Sequence, residues 1–192
     1  MEVAQNQLST RTSRDPATGP APYETATVGG PGLIERILLT TDGTVTIMLE
    51  QIVGEGIMTS ALAHRNAPVD PLAAAALPHP ASSLTTRTTQ LIGTETGAVY
   101  VRATSLFCPQ ALPERIRTSL LTTEEPLGRL LRRNRIESFR EILSIDLPEG
   151  HGREEPRRRY VICIGGSPAV HIEEIFSTQC FRSRTAAAVA AD

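Results

Sequence analysis

The chain has 192 residues, of which 40% are apolar and 21% charged, with a net charge of −2, the balance of one ordinary globular domain with a proper core. Nothing in that charge draws the protein to nucleic acid or an anionic membrane, and no apolar run approaches the ~20 residues of a membrane span. All 19 basic residues are arginine, which excludes Schiff-base chemistry and a phosphate-loop lysine and leaves anion recognition to the planar guanidinium fork.

Residues 1–31 are rich in Thr, Pro, Ala and Gly without apolar periodicity and are expected to form a disordered arm. The N-terminus lacks the basic-then-apolar pattern of a signal peptide. Gly32 to Leu39 carries apolar residues at helical spacing, and Thr41-Asp42-Gly43 ends that short helix. Thr44 to Ile52 fits either a strand, by its β-branching, or a second helix capped by Thr44, with Ile47, Met48 and Ile52 on one face. Gly56 to Arg65 reads as a strand, and the Ala- and Pro-rich stretch from Asn66 to Ser83 as a mobile loop.

Two hairpins follow from turn chemistry. Leu84–Ile92 and Ala98–Phe107 flank the turn Gly93 to Gly97, and Tyr160–Ile164 and Ala169–Phe176 flank Gly165-Gly166-Ser167-Pro168. Between them the spacing predicts helices over Pro113–Leu121 and Leu127 to about Ile145, the second broken near Asn134. Hairpin strands with helices inserted between them make an α+β domain over residues 32–184, followed by a frayed Ala-rich tail at 185–192. Cys108, Cys163 and Cys180 are odd in number and widely spaced, the pattern of reduced thiols in a cytoplasm.

Familiar catalytic signatures are missing. His171 and Glu173 share a strand face, but no Cys and His cluster at ligand spacing accompanies them, so no metal is expected. His64, His79 and His151 fall in loops or strand ends, and neither Gly-x-Ser-x-Gly nor Cys-x-x-Cys occurs. Gly165-Gly166 lies at a hairpin tip, where no helix start is offered to a dinucleotide phosphate.

Strand residues are the better candidates. Arg87 sits mid-strand among threonines; facing inward it would need an anion, facing outward it is unremarkable. Glu173 and Glu174 are consecutive and point to opposite faces, so one of them can face the interior. In Arg157-Arg158-Arg159, alternation sets Arg159 on the face opposite Tyr160, either toward a pocket or in a solvated charge cluster. Pro126-Leu127-Gly128-Arg129 reads as a turn entering a helix, with Arg129 on the helix surface near a carboxylate such as Glu125.

These pieces, in this order, resemble the chorismate lyase family, including its actinobacterial branch that makes 4-hydroxybenzoate. The resemblance rests on Asp42 to Thr46 after a short helix, a strand arginine whose hairpin leads to Phe107-Cys108-Pro109, and Pro126-Leu127-Gly128-Arg129 followed by Ile136-Glu137-Ser138-Phe139. It continues through Arg158-Arg159-Tyr160, a Gly-x-Pro hairpin and the ending Glu174-Ile175-Phe176, covering about Gly32 to Phe181. It implies a single antiparallel sheet backed by helices, with an internal ligand pocket beneath flaps. Carried over by position, it implies Arg87 as the anchor of a ring carboxylate and Glu174 as the acid beside the 4-hydroxyl, with Val45, Leu127 and Gly128 as backbone walls and Arg159 as a further binder.

The implied reaction is elimination of pyruvate from chorismate to give 4-hydroxybenzoate, without cofactor or metal. In it a buried Glu174 carboxyl could donate a hydrogen bond or proton to the departing ether oxygen. The expected partner is a small carboxylate, with neither nucleic acid nor membrane involved, and the sequence sets no oligomeric state. The unusual 66–83 stretch, the scarcity of aromatic residues and the extra acid Glu173 are departures from the family. They leave open a divergent enzyme of a secondary-metabolite pathway, or a ligand-binding module like the effector domains of GntR-type regulators.

Overall fold

The structure is a computed structural model and describes residues 32–65, 70–147 and 155–177, with no account of the side chains of residues 61–65. The 1–31 arm, the 185–192 tail, His151, Cys180 and the first residues of the 66–83 stretch lie outside the described residues.

Six strands form one antiparallel sheet: β1 (Ile57–Arg65), β2 (Thr85–Gly93), β3 (Val99–Phe107), β4 (Ser138–Asp146), β5 (Arg157–Ile164) and β6 (Ser167–Phe176). Their spatial order is β1-β2-β3-β6-β5-β4. Two three-stranded meanders are therefore joined where β6 docks beside β3, so residues from both halves of the chain meet along that seam. The β5–β6 hairpin turns on Gly165 and Gly166 at φ 59° and 81°, a primed two-residue turn that suits the twist of the strands.

Most of the helices cover one face of the sheet. The first two are α1 (Leu33–Thr40) and α2 (Val45–Val53), the latter burying Val45, Leu49 and Val53 one turn apart. Here the helical alternative for residues 44–52 is realised, although the Thr44 side chain makes no capping bond. A short α3 (Pro71–Ala75) packs instead on the opposite face, against Leu106, while α4 (Glu114–Thr122) and α5 (Leu127–Arg133) complete the first set. Leu38, Leu39, Leu49 and Val53 pack with Leu91, Val101 and Phe176 at one end of the sheet; Ile116, Leu120, Leu130 and Leu131 pack with Phe107, Ile162 and Val170 at the other. Each such leucine contributes about 1.5–3 kcal/mol by leaving water.

Two expectations are corrected. The second half of the predicted 127–145 helix is strand β4: α5 stops at Asn134, Arg135 adopts φ 53°, and Ser138–Asp146 pairs along β5. Part of the predicted mobile loop is ordered. Asp70 caps α3 by accepting from the Leu72 amide at 3.0 Å, and Ala73 and Leu77 pack on Leu84, Leu106 and Cys108. Cys108 and Cys163 are both buried free thiols. Among the described residues no helix is long and apolar enough to cross a membrane.

Candidate active site

Between the two core clusters the helix-covered face is hollow. On the middle strand β3 the inward positions are the small Ala103 and Ser105, paired with Glu174 and Ile172 of β6 and with Thr89 and Arg87 of β2. The floor of the cavity is thus β2, β3, β6 and β5. Its roof is the start of α2 (Thr44, Val45, Thr46) and the start of α5 (Pro126, Leu127, Gly128). The first N–H groups of a helix have no partner within it, so both ends present free donors and a partial positive charge. The two ends meet closely: a Cβ on Gly128 would lie 2.9 Å from Thr44 Cγ2.

Arg87 is 2% exposed. Its Nη2 donates to the backbone carbonyls of Thr123 (3.1 Å) and Glu125 (3.2 Å), which fixes the segment leading into α5. Its buried Nε has no partner among the described residues, and none of their carboxylates lies within ion-pair distance. Burial lowers its pKa, only partly offset by the charge of Glu124. A buried guanidinium left in this state, facing a cavity, has the chemistry to receive an anion.

Glu174 stands about 12 Å from Arg87 at the backbone, two strands across and two residues along. Its neighbour is Arg158, directly opposite on β5. Arg158 Nε donates to Glu174 Oε2 at 2.8 Å, and Nη2 lies equally close to that oxygen without a hydrogen-bond angle. Arg158 Nη1 donates to the carbonyls of Leu38 (2.8 Å) and Thr41 (2.7 Å), tying down the end of α1. Burial alone would lower the Arg158 pKa; Glu174 reverses the sign and raises it. The Tyr160 hydroxyl donates to Glu174 Oε1 at 3.0 Å, and its pKa is raised by burial and by the Glu174 charge. The Arg158 guanidinium also lies 4.8 Å from the centre of the Tyr160 ring. Arg140 of β4 reaches the same cavity, with Nη1 donating to the Asp42 carbonyl at 2.8 Å.

A family profile described as "Chorismate pyruvate-lyase Rv2949c-like" matches residues 39–184. The chain belongs to this chorismate pyruvate-lyase family. The chorismate pyruvate-lyase of Mycobacterium leprae (strain TN) is 29% identical over 158 residues, 77% of this chain and 75% of that protein. That of Mycobacterium tuberculosis (strain ATCC 25618 / H37Rv) is 34% identical over 103 residues, 48% of this chain and 52% of the relative. Among solved structures, the effector domain of PhnF from Mycobacterium smegmatis superposes with a TM-score of 0.52 at 15% identity, covering 71% of this chain and 90% of that one. That likeness concerns the fold.

Of the residues the family resemblance pointed to, Arg87, Glu174, Val45, Leu127 and Gly128 all line the one cavity described above. Arg159 does not. Tyr160 faces the cavity, so Arg159 faces away, bridging Asp146 at 2.8 Å and Glu173 at 2.9 Å. The inward arginine of that run is Arg158. Glu174 also differs from the expected proton donor: in this lyase-family chain it is the acceptor of Arg158 and Tyr160, and the cavity-lining hydroxyl beside it is that of Tyr160. Arg129 pairs with Glu50 rather than Glu125, which is taken by Arg133. Sequence reasoning missed Arg140, hidden by its placement on a helix. It also passed over Arg158, whose face follows from that of Tyr160 two residues later.

Proposed function

We propose that this protein is a lyase that eliminates pyruvate from chorismate to leave 4-hydroxybenzoate. The observation that carries the reading is Arg87, a buried guanidinium with no ion-pair partner among the described residues, lining a cavity roofed by two helix starts in a chain of this family. The ring carboxylate of chorismate supplies the missing anion, with two-pronged geometry available from the guanidinium edge. The first amides of α2 and α5, at Val45 and Leu127, are placed to add donors on the roof.

The reaction breaks the bond from ring C3 to the ether oxygen and removes the hydrogen at C4. The departing enolpyruvyl group takes up one proton at its methylene carbon and becomes pyruvate, so protons and electrons balance within the substrate. Aromatisation supplies the driving force. The protein has to hold the side chain in a reactive pose and stabilise charge growing on the ether oxygen. Tyr160 is the donor we assign to that oxygen: its hydroxyl, which donates to Glu174 in this structure, turns to the ether oxygen when the substrate's 4-hydroxyl takes its place as donor to Glu174.

Purified protein incubated with chorismate is expected to release pyruvate and 4-hydroxybenzoate in equal amounts. Absence of both products, with chorismate or another carboxylate nonetheless bound, would move the protein to the divergent-substrate or binding-module readings.

A further inference from the structure

Arg140 is the second cation at the cavity without an acidic partner. Among the described residues every ion pair belongs to another arginine: Arg102, Arg129, Arg133, Arg157, Arg158 or Arg159. Its only hydrogen bond there is Nη1 to the Asp42 carbonyl, which leaves Nη2 and Nε with no acceptor among the described residues. Nη2 lies beside Gly128, 3.5 Å from where a Cβ on that residue would stand, and so under the seam between the starts of α2 and α5. Arg87 holds the carbonyls of Thr123 and Glu125 on the other side of the same turn. The two guanidiniums therefore flank the Pro126–Gly128 turn from two sides. One is buried deep on β2; the other is half-buried on the edge strand β4.

Two separated cations facing one small cavity, both lacking carboxylates of their own, match a ligand with two carboxylates. We propose that Arg140 is a specificity-determining residue that binds the second carboxylate of a cyclic dicarboxylate, the one carried on the side chain, while Arg87 holds the carboxylate on the ring. The assignment deepens the lyase reading and rests on it for the identity of the ligand. Its consequence is directional. Cleavage of the ether removes the side-chain carboxylate with the departing three-carbon acid, so the aromatic product keeps the Arg87 contact and loses that of Arg140. Substrate is held at two points and product at one.

The test uses a stable aromatic dicarboxylate, 3-(carboxymethoxy)-4-hydroxybenzoate, and the monocarboxylate 4-hydroxybenzoate, titrated by calorimetry into the wild-type protein and into Arg140→Gln and Arg140→Lys. Arg140→Gln is expected to weaken the dicarboxylate by about 10- to 100-fold, the range for a lost charge-assisted hydrogen bond, and to change 4-hydroxybenzoate by no more than about twofold. Arg140→Lys recovers part of the dicarboxylate affinity, because charge returns without the fork. Unchanged 4-hydroxybenzoate binding also certifies that each variant is folded. Equal losses for both ligands, no loss for either, or a wild-type protein without preference for the dicarboxylate overturns the proposal. Pyruvate release from chorismate, measured alongside, separates the two ideas. Selective Arg140-dependent binding without turnover sinks the lyase reading alone, and turnover with an indifferent Arg140→Gln sinks this one alone.

Discussion

Arg158 and Glu174 face each other across β5 and β6 and form an ion pair with the arginine fully buried and the acid 7% exposed. The same arginine clamps the last carbonyls of α1. Breaking such a pair from one side leaves an uncompensated buried charge, whereas removing both charges can be close to neutral. Arg158→Met is therefore expected to lower the unfolding free energy by about 3–5 kcal/mol in urea titrations. Arg158→Met combined with Glu174→Leu is expected to cost less than Arg158→Met alone. A double variant as unstable as the sum of its parts would show that the helix clamp, not the ion pair, dominates.

Arg87 has the opposite status, because among the described residues no carboxylate pairs with it and the charge of Glu124 offsets its desolvation only in part. Arg87→Met gives up two hydrogen bonds to carbonyls but relieves an unreciprocated desolvation. The ligand-free stability is expected to move by no more than about 1 kcal/mol in either direction. Turnover of chorismate is expected to fall by about a hundredfold, and the rise in melting temperature expected for the wild type with carboxylate ligands is expected to vanish. A variant that keeps its ligand-induced shift would remove Arg87 from the anchor position.

Gly128 sets the distance between the two roof helices. Gly128→Ala places a methyl 2.9 Å from Thr44 Cγ2, closer than carbon atoms tolerate, and pushes α5 from α2. We expect a loss of about 1–3 kcal/mol, net of the small gain in helix propensity. Adding Thr44→Ser removes the opposing methyl and should restore most of it. A thermal melt of the two variants and their combination measures that coupling.

Glu55 accepts from the amides of Glu95 (2.8 Å) and Thr96 (3.0 Å) and from the hydroxyls of Thr96 (2.8 Å) and Tyr100 (2.7 Å), bracing the β2–β3 turn. The Tyr100 hydrogen bond, helped by those from residues 95 and 96, holds its pKa at about 2 against an ordinary 4.5, despite desolvation. A depressed carboxylate pKa means that the unfolded chain binds the proton first. Its stabilising contribution is complete above about pH 4.5 and disappears as the pH falls toward about 2. Glu55→Gln should be the less stable protein at neutral pH, with the urea midpoints converging across that acid window. Parallel midpoints throughout would assign the acid sensitivity to other groups.

The hairpins and the family motifs were legible because turn glycines and period-two alternation are local signals, and Arg87 and Glu174 lie on those hairpins. β4 was not legible. Phe139, Glu141 and Leu143 point to solvent from an edge strand, and with Leu130, Leu131, Ile142 and Ile145 they mimic a helical stripe. Only pairing with β5, through a bulge between Ile142 and Ser144, decides the matter. Arg140 was lost with that strand. The Arg158 and Arg159 exchange is a matter of parity: alternation alone leaves open which face is inward, and Tyr160 on the cavity face puts Arg158 inside and Arg159 in the solvated cluster. The ordering of α3 depends on packing against Leu106, a residue remote from it in sequence.

Ala103 and Ser105 leave the middle of the sheet without the bulky side chains that fill it at both ends. A ligand seated there would stand where core side chains would otherwise be, completing the fold with a molecule the chain does not encode. Occupancy and melting temperature are then two readings of one quantity. Replacing Ala103 by leucine would supply the missing volume from within, yielding a protein that no longer needs its guest and no longer answers to it.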